Sequence, residues 1–456
     1  MNTDTIAAVA TAMASSGIGI IRISGEEAIE IADRIFQPKN GRPLRECASH
    51  TIHYGYIINQ DEIVDEVLVL LMKAPNSYTK EDTIEIDCHG GILVMKKILE
   101  TVICHGARPA EPGEFTKRAF LNGRIDLTQA ESVIDIINSK NEFALKSSLN
   151  QLRGSILNKI TAMREQMIHE IAFIESALDD PEHYSLDGYS QQLGGIVSGL
   201  KSEIQHLLDT ADQGRVIKEG IHAVIVGKPN VGKSSLLNVL AGSNRAIVTE
   251  VAGTTRDILE EQINLNGINL NIIDTAGIHE TEDLVEKIGV DKAKEYLEQA
   301  DLVLYVIDSS KSLSDEDYEI AKMVEGKNVI VLVNKSDLEQ KACLEHIAHV
   351  SQHVISISAK EGDGIEQLAD QISTMFLHGK LDYNDEVMIT NIRHKNALAR
   401  ASESLKMVEE SIENQMPEDF YSIDLMNAYE SLGKVIGESV EDDLADEIFS
   451  KFCMGK

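Results

Sequence analysis

The strand-like run IHAVIV leads directly into GKPNVGKSS, Gly227–Ser235, and this junction constrains the fold more than any other feature of the chain. The stretch matches G-x-x-x-x-G-K-[ST], a loop that has its meaning only between a strand and a helix. Its glycines let backbone N–H groups close around phosphate oxygens, and the helix that follows turns the positive end of its dipole toward them. Further strands read as NLNIIDTAG, DLVLYVID, NVIVLVNKSD and HVISISAK, with helices between them, which makes a doubly wound α/β sheet. In that setting Lys233 reaches the β- and γ-phosphates and the Ser234 hydroxyl binds Mg²⁺. Asn230, Val231, Gly232 and Ser235 complete the cradle.

Two more motifs select the base. In NKSD, Asn334–Asp337, the Asp337 carboxylate can accept both the N1–H and the exocyclic amino hydrogens of guanine, a pattern that adenine does not offer. Lys335 would lie along the base, and Ser358, Ala359 and Lys360 would supply backbone contacts from the next strand end. Between phosphate loop and base loop stands DTAG. There Asp274 closes the Mg²⁺ shell through water, Thr275 and Ala276 follow, and the Gly277 amide senses the γ-phosphate. GTTRD supplies the switch threonines Thr254 and Thr255, with Thr255 as second Mg²⁺ ligand. In this order the motifs specify a GTPase. Ile278 departs from the Ras-like pattern, in which a glutamine after that glycine positions the attacking water. Either turnover is weak or another group orients the water.

The chain has 456 residues, room for about three domains. Ahead of the phosphate loop, β-rich runs such as GIGIIRIS, TIHYGYII, EVLVLLM and TIEIDCHGG alternate with the helical patterns EEAIEIADRIF and ILVMKKILETVI, an α+β domain over residues 1–118. Helical periodicity then runs through 119–219, interrupted at Asp179-Asp180-Pro181 because proline disfavours helix at the residue before it. The α/β unit occupies 220–379, and helices resume over 380–456. Helices on both sides imply a multidomain chain in which the α/β unit is inserted into a discontinuous α-helical domain.

Net charge is −33, and such a surface repels phosphate backbones, so an RNA substrate needs a local basic patch or a partner protein to hold it. Five cysteines, odd in number and without a C-x-x-C pair, indicate neither a disulfide framework nor a zinc site. There is no apolar run of membrane-spanning length and no basic n-region. We expect a cytoplasmic protein with no membrane association.

A wider pattern contains these motifs. GIIRISG, EFTKRAFLNGRIDLTQAE, GKPNVGKSS, GTTRD, DTAG followed by VEKIG, and the terminal CMGK together resemble the MnmE (TrmE) family of bacterial tRNA-modifying GTPases over the whole chain. The resemblance implies that K⁺ stands where an arginine finger would, held by Asn230 and by oxygens of Thr249, Val251 and Thr254 in a loop that also carries Glu250, Ala252 and Gly253. Such fingers are worth roughly 10³–10⁵ in rate. It implies that Glu286, nine residues after Gly277, orients the attacking water from a distance. It also implies a homodimer whose GTPase domains meet across the nucleotides. The N-terminal domain is similar to folate-binding domains, and a formyl- or methylene-tetrahydrofolate would be held by Arg22, Glu85, Arg124 and Lys456. Arg124 stands where a lysine is common, so a planar fork replaces a point charge. The reaction so implied adds a carboxymethylaminomethyl or aminomethyl group to C5 of the wobble uridine of certain tRNAs. The resemblance further implies a partner, MnmG (GidA), that carries FAD, uses NADH and completes a heterotetramer. The rival reading is a regulatory GTPase of ribosome assembly, but no Lys/Arg-rich stretch with exposed aromatics is present to bind RNA.

Cys453 admits three readings. As a prenylation signal FCMGK is poor, because Gly455 fills a middle position and Lys456 ends the chain. It is otherwise an inert cysteine buried at a helix end, or a catalytic thiol facing the one-carbon unit, which the resemblance favours. The catalytic set is then Lys233, Glu286 and Cys453.

Overall fold

The structure is a computed structural model and describes residues 4–60, 62–243, 260–265, 267–274, 296–343, 350–377, 387–438, 442–453 and 455. Two compact units emerge. Met1–Ile137, Ser148–Lys201 and Ala397–Lys456 form one, and Asn138–Ser147 with Ser202–Asn396 the other.

The first unit begins with β1 (Ile6–Val9), β2 (Ile18–Ser24), α1 (Ala28–Ile35), β3 (Phe36–Pro38), β4 (Thr51–Asn59), β5 (Glu62–Met72), β6 (Thr83–His89), α2 (Ile92–Cys104) and β7 (Arg108–Pro109). The strands form one seven-stranded sheet in the order β3-β4-β5-β6-β2-β1-β7. Period-two alternation in β6 sends Ile84, Ile86 and Cys88 into the core and leaves Glu85, Asp87 and His89 on the opposite face. Ala28, Ile31 and Ala32 of α1 and Met95, Ile98 and Val102 of α2 fill that core. Register sets Arg22 of β2 opposite Glu85. β1 lies outside the run of strands that periodicity starts at Ile18, because IAAV is short and carries no alternation. Pairing with both β2 and β7 makes it a strand.

Helices follow as α3 (Glu114–Leu121), α4 (Leu127–Asn138), α5 (Glu142–Leu152), α6 (Ser155–Asp179), α7 (Tyr189–Asp209) and α8 (Ala211–Glu219). The expected long helical stretch is therefore divided. Gly154, at φ +88°, makes the left-handed step between α5 and α6 that few other residues adopt without strain. α6 ends at Asp179, as Pro181 requires.

The second unit holds α8 together with β8 (Ile221–Val226), α9 (Lys233–Ser243), β9 (Glu260–Leu265), β10 (Ile268–Asp274), β11 (Leu302–Asp308), α10 (Asp315–Val324), β12 (Val329–Asn334), β13 (Val354–Ser356) and α11 (Ile365–Leu377). Its six-stranded sheet runs β13-β12-β11-β8-β10-β9, parallel except where β9 meets β10. Every residue of β11 and β12 is buried, as strands covered on both faces must be. Leu302, Leu304 and Val306 enter one core while Val303, Tyr305 and Ile307 enter the other. β8 lies between β10 and β11, so its C-terminal end is the point where the strand order reverses, the place where open α/β sheets bind ligands.

The chain returns to the first unit through α12 (Ile392–Glu413), α13 (Glu418–Ile436) and α14 (Asp442–Ser450). Arg164 of α6 ties α13 in place: it stacks 4.0 Å from the Tyr429 ring centroid and donates to the Tyr429 carbonyl at 3.2 Å. α14 and the tail pack Phe449 and Phe452 against Ala119 and Leu127. Phe449 is 1% exposed and Phe420, on α13, 43%. Phe449→Ala is therefore expected to cost about 3–5 kcal/mol, and Phe420→Ala under about 0.5 kcal/mol, read as shifts in the urea midpoint.

Candidate functional site

Gly227, Asn230 and Gly232 all have positive φ, at +151°, +63° and +103°, and these turns wrap the loop between β8 and α9. A side chain at Gly232 would collide with the Asn334 amide, and one at Gly227 with the Val306 carbonyl. Lys233 folds over the loop and donates to the carbonyls of Gly227 at 2.6 Å and Lys228 at 2.9 Å. Its ammonium thus lies against the backbone at the start of the loop. Ser234 and Ser235, the first hydroxyls of α9, are exposed.

The base loop is built from the ends of β12 and β13. Asn334, 2% exposed, donates to the Val231 carbonyl at 2.8 Å and accepts from the Ala359 amide at 3.0 Å. One buried amide therefore ties together the phosphate loop and the SAK segment. Lys335, at φ +64°, donates to the Asn230 carbonyl at 3.1 Å and to Asp308 at 2.6 Å. Ser358 holds the exposed Asp337 carboxylate at 2.9 Å, and Lys360 pairs with Glu361 at 3.1 Å. Burial works to raise the Asp308 pKa, but Lys335, Ser310 and the Ser310 amide outweigh it and hold the carboxyl below its ordinary value of 3.8. A depressed carboxylate contributes stability above that ordinary value and loses it as pH falls through the lower folded one.

A second cluster lies on the face of the N-terminal sheet opposite α1 and α2. Arg22 Nε bonds Glu85 at 2.7 Å, and its Nη1 donates to the Gly455 carbonyl at 3.0 Å. The guanidinium lies 5.6 Å from the centroid of the Phe115 ring and 5.5 Å from that of Tyr78, and Arg124 covers Tyr78 at 4.6 Å. The Cys453 carbonyl accepts from the Gly113 amide at 3.3 Å, yet the residue is exposed. Its reading as a buried inert cysteine is thereby corrected: Phe452, not Cys453, plugs the core. Asp87 joins Glu85 on this face, and its Oδ1 is buried with no hydrogen-bond partner among the described residues. Burial first, then the neighbouring Glu85 charge, push the Asp87 pKa up. Sequence reasoning passed over Asp87, Asp308 and Tyr78. Alternation in TIEIDCH was the available signal for Asp87; none pointed to the other two.

Arg22, Glu85, Arg124, Asn230, Lys233, Asn334, Lys335, Asp337 and Ser358 thus stand in two clusters. Thr249, Glu250, Val251, Ala252, Gly253, Thr254, Thr255, Thr275, Ala276, Gly277, Glu286 and Lys456 lie outside the described residues, as does the side chain of Asp274.

A parallel sheet with a glycine-rich loop at its switch point and a guanine-type base loop beside it defines a P-loop GTPase. Residues 5–124 match the family described as GTP-binding protein TrmE N-terminus, and residues 127–453 the MnmE helical domain. The tRNA modification GTPase MnmE of Lachnoclostridium phytofermentans is 56% identical over 458 residues, covering 100% of both chains. That of Alkaliphilus oremlandii is 49% identical, covering 99% of each. A solved structure of Aquifex aeolicus Era bound to GDP and aluminium fluoride shares 30% identity over 41% of this chain and 67% of its own, with a TM-score of 0.28. The chain belongs to the MnmE family of tRNA modification GTPases.

Asn334→Ala leaves a buried carbonyl and a buried amide without partners, each at a cost of about 1–3 kcal/mol. The GTPase unit is expected to unfold at a lower urea concentration, with the transition of the N-terminal unit unmoved.

Proposed function

We propose that this GTPase serves the modification of the tRNA wobble uridine, with domains bounded at 1–118, 119–219, 220–379 and 380–456. Lys233 and the loop Asn230–Ser235 hold the phosphates, Ser234, Thr255 and Asp274 would hold Mg²⁺, and Asp337 reads guanine. Thr275, Ala276 and Gly277 follow the γ-phosphate. The Lys335 bond to the Asn230 carbonyl supports this assignment, because base and phosphate loops are then placed together.

Asn230, Thr249, Val251 and Thr254 would hold K⁺, which would supply a fixed positive charge to offset the charge developing on the phosphates. Glu286 orients water in place of the absent glutamine, and two GTPase domains of a homodimer pair across the nucleotides. Asn230→Ala is expected to lower kcat by about 10²–10³-fold in K⁺ and to abolish the advantage of K⁺ over Na⁺. Equal turnover of the parent protein in the two salts would refute the cation site.

The one-carbon half rests on a single observation: the Arg22 guanidinium is bonded at once to Glu85 and to the tail beside Cys453. The residues suit a reduced folate, since Glu85 can accept from pterin N–H and amino groups while Arg124 and Lys456 would meet the glutamate tail. When bound, the folate supplies a carbon at the formyl or methylene level. Arg22 and Glu85 orient the ring, and Cys453 faces the carbon. FAD and NADH chemistry falls to MnmG in a heterotetramer, a cytoplasmic assembly in which the partner helps a chain of charge −33 hold tRNA. Cys453→Ser is expected to leave GTP turnover at the parent rate while tRNA from cells carrying it loses the aminomethyl-type wobble substituents. Fully modified tRNA would remove Cys453 from the chemistry.

A further inference from the structure

Two of the tethers on the phosphate loop come from the base loop, through Asn334 and Lys335. A third comes from a different element. Lys228 is the first variable position of the loop, so the phosphate-binding pattern makes no demand on it. Its ammonium nevertheless lies 2.5 Å from Asp317 and 3.0 Å from the Ser314 hydroxyl, with side chains 18% and 1% exposed for Lys228 and Asp317. Asp317 is the third residue of α10, and the same Oδ2 accepts from the Ser314 amide at 2.7 Å to cap that helix. Tyr305, from the centre of β11, donates to the Asp317 carbonyl at 2.8 Å. Asp317 Oδ1 has no hydrogen-bond partner among the described residues.

A buried carboxylate with one oxygen unpaired is costly, and the capping box that Asp317 closes at the third helical position does not require it, since an uncharged glutamine there caps as well. What a carboxylate adds here is a fixed counter-charge for Lys228. The two residues also border a cavity of about 260 Å³ beside the loop, which Pro229, Val231 and Asp308 line as well, so their contact stands at the wall of a space that close packing does not fill.

We propose that Lys228 and Asp317 form a latch through which the N-terminus of α10 positions the phosphate loop. Both are positioning residues. They touch no phosphate themselves but hold the backbone just after Gly227 so that its amides converge. The base loop fixes one side of the cradle and α10 the other, so a displacement of α10 would be transmitted to the phosphates.

The test is a double-mutant cycle in the full-length protein, with GTP turnover and GDP affinity measured for each variant. Asp317→Asn and Lys228→Met are each expected to raise the KM for GTP and the Kd for GDP about tenfold, with kcat changed less than about threefold. The double variant is expected to be no worse than about tenfold, because the second change removes a group that the first has already stranded. Lys228→Arg, which keeps the cation, is expected to bring KM back to within about threefold of the parent. A merely structural cap would lower the melting temperature of Asp317→Asn and leave KM of Lys228→Met unmoved. That result, or losses that multiply to about a hundredfold in the double variant, would overturn the latch. If Asp317→Asn does not fold, the Lys228→Met and Lys228→Arg pair decides the matter alone.

Discussion

The Asn334 side chain makes two hydrogen bonds on which the GTPase unit depends, one to the phosphate loop and one to the segment after β13. Parallel strands alone bring their C-terminal ends to one edge of the sheet, but loops at an edge are free to move apart. A buried amide that must satisfy both its donor and its acceptor removes that freedom, because either separation leaves an unpaired polar group in a dry site. Lys335 adds a charged tie between the same loops and is itself fixed by Asp308 at the end of the neighbouring strand. The two loops are therefore held together at one edge of the sheet.

The N-terminal sheet solves a comparable problem with an ion pair. Its inner face is apolar and covered by α1 and α2, while its outer face carries Arg22, Glu85 and Asp87. Around the rim, Arg108 and Arg118 hold Asp4 and Glu114 in a partly buried network that joins the start of the chain to α3. Arg22 then reaches the last residues of the same chain at Gly455. First and last segments meet on one surface only because α12, α13 and α14 carry the chain back after the GTPase unit.

Most of the GTPase unit was legible because its signals are local. GKPNVGKSS after IHAVIV, and NKSD at the end of a strand, carry their structural context with them. The division of the long helical stretch was less legible: Gly154 ends α5, whereas the apolar spacing runs on past it. β1 escaped notice because strand character there comes from its two neighbours, β2 and β7, and not from IAAV itself. Asp87 was passed over since a lone aspartate in a strand reads as a surface charge until its partner strands bury it.

By itself the sequence determined the class of chemistry. Spacing within a loop and between loop and strand is enough to specify phosphate and guanine recognition, and matching motifs along the whole chain identify the family. Tertiary structure decided what those local signals do not contain: that Asn334 is a tie between loops, that Lys228 pairs with a buried carboxylate on α10, and that the tail beside Cys453 meets Arg22. Each is a contact between residues far apart in the chain, set by strand order and helix packing, and such contacts leave no periodicity or spacing in the sequence to be read.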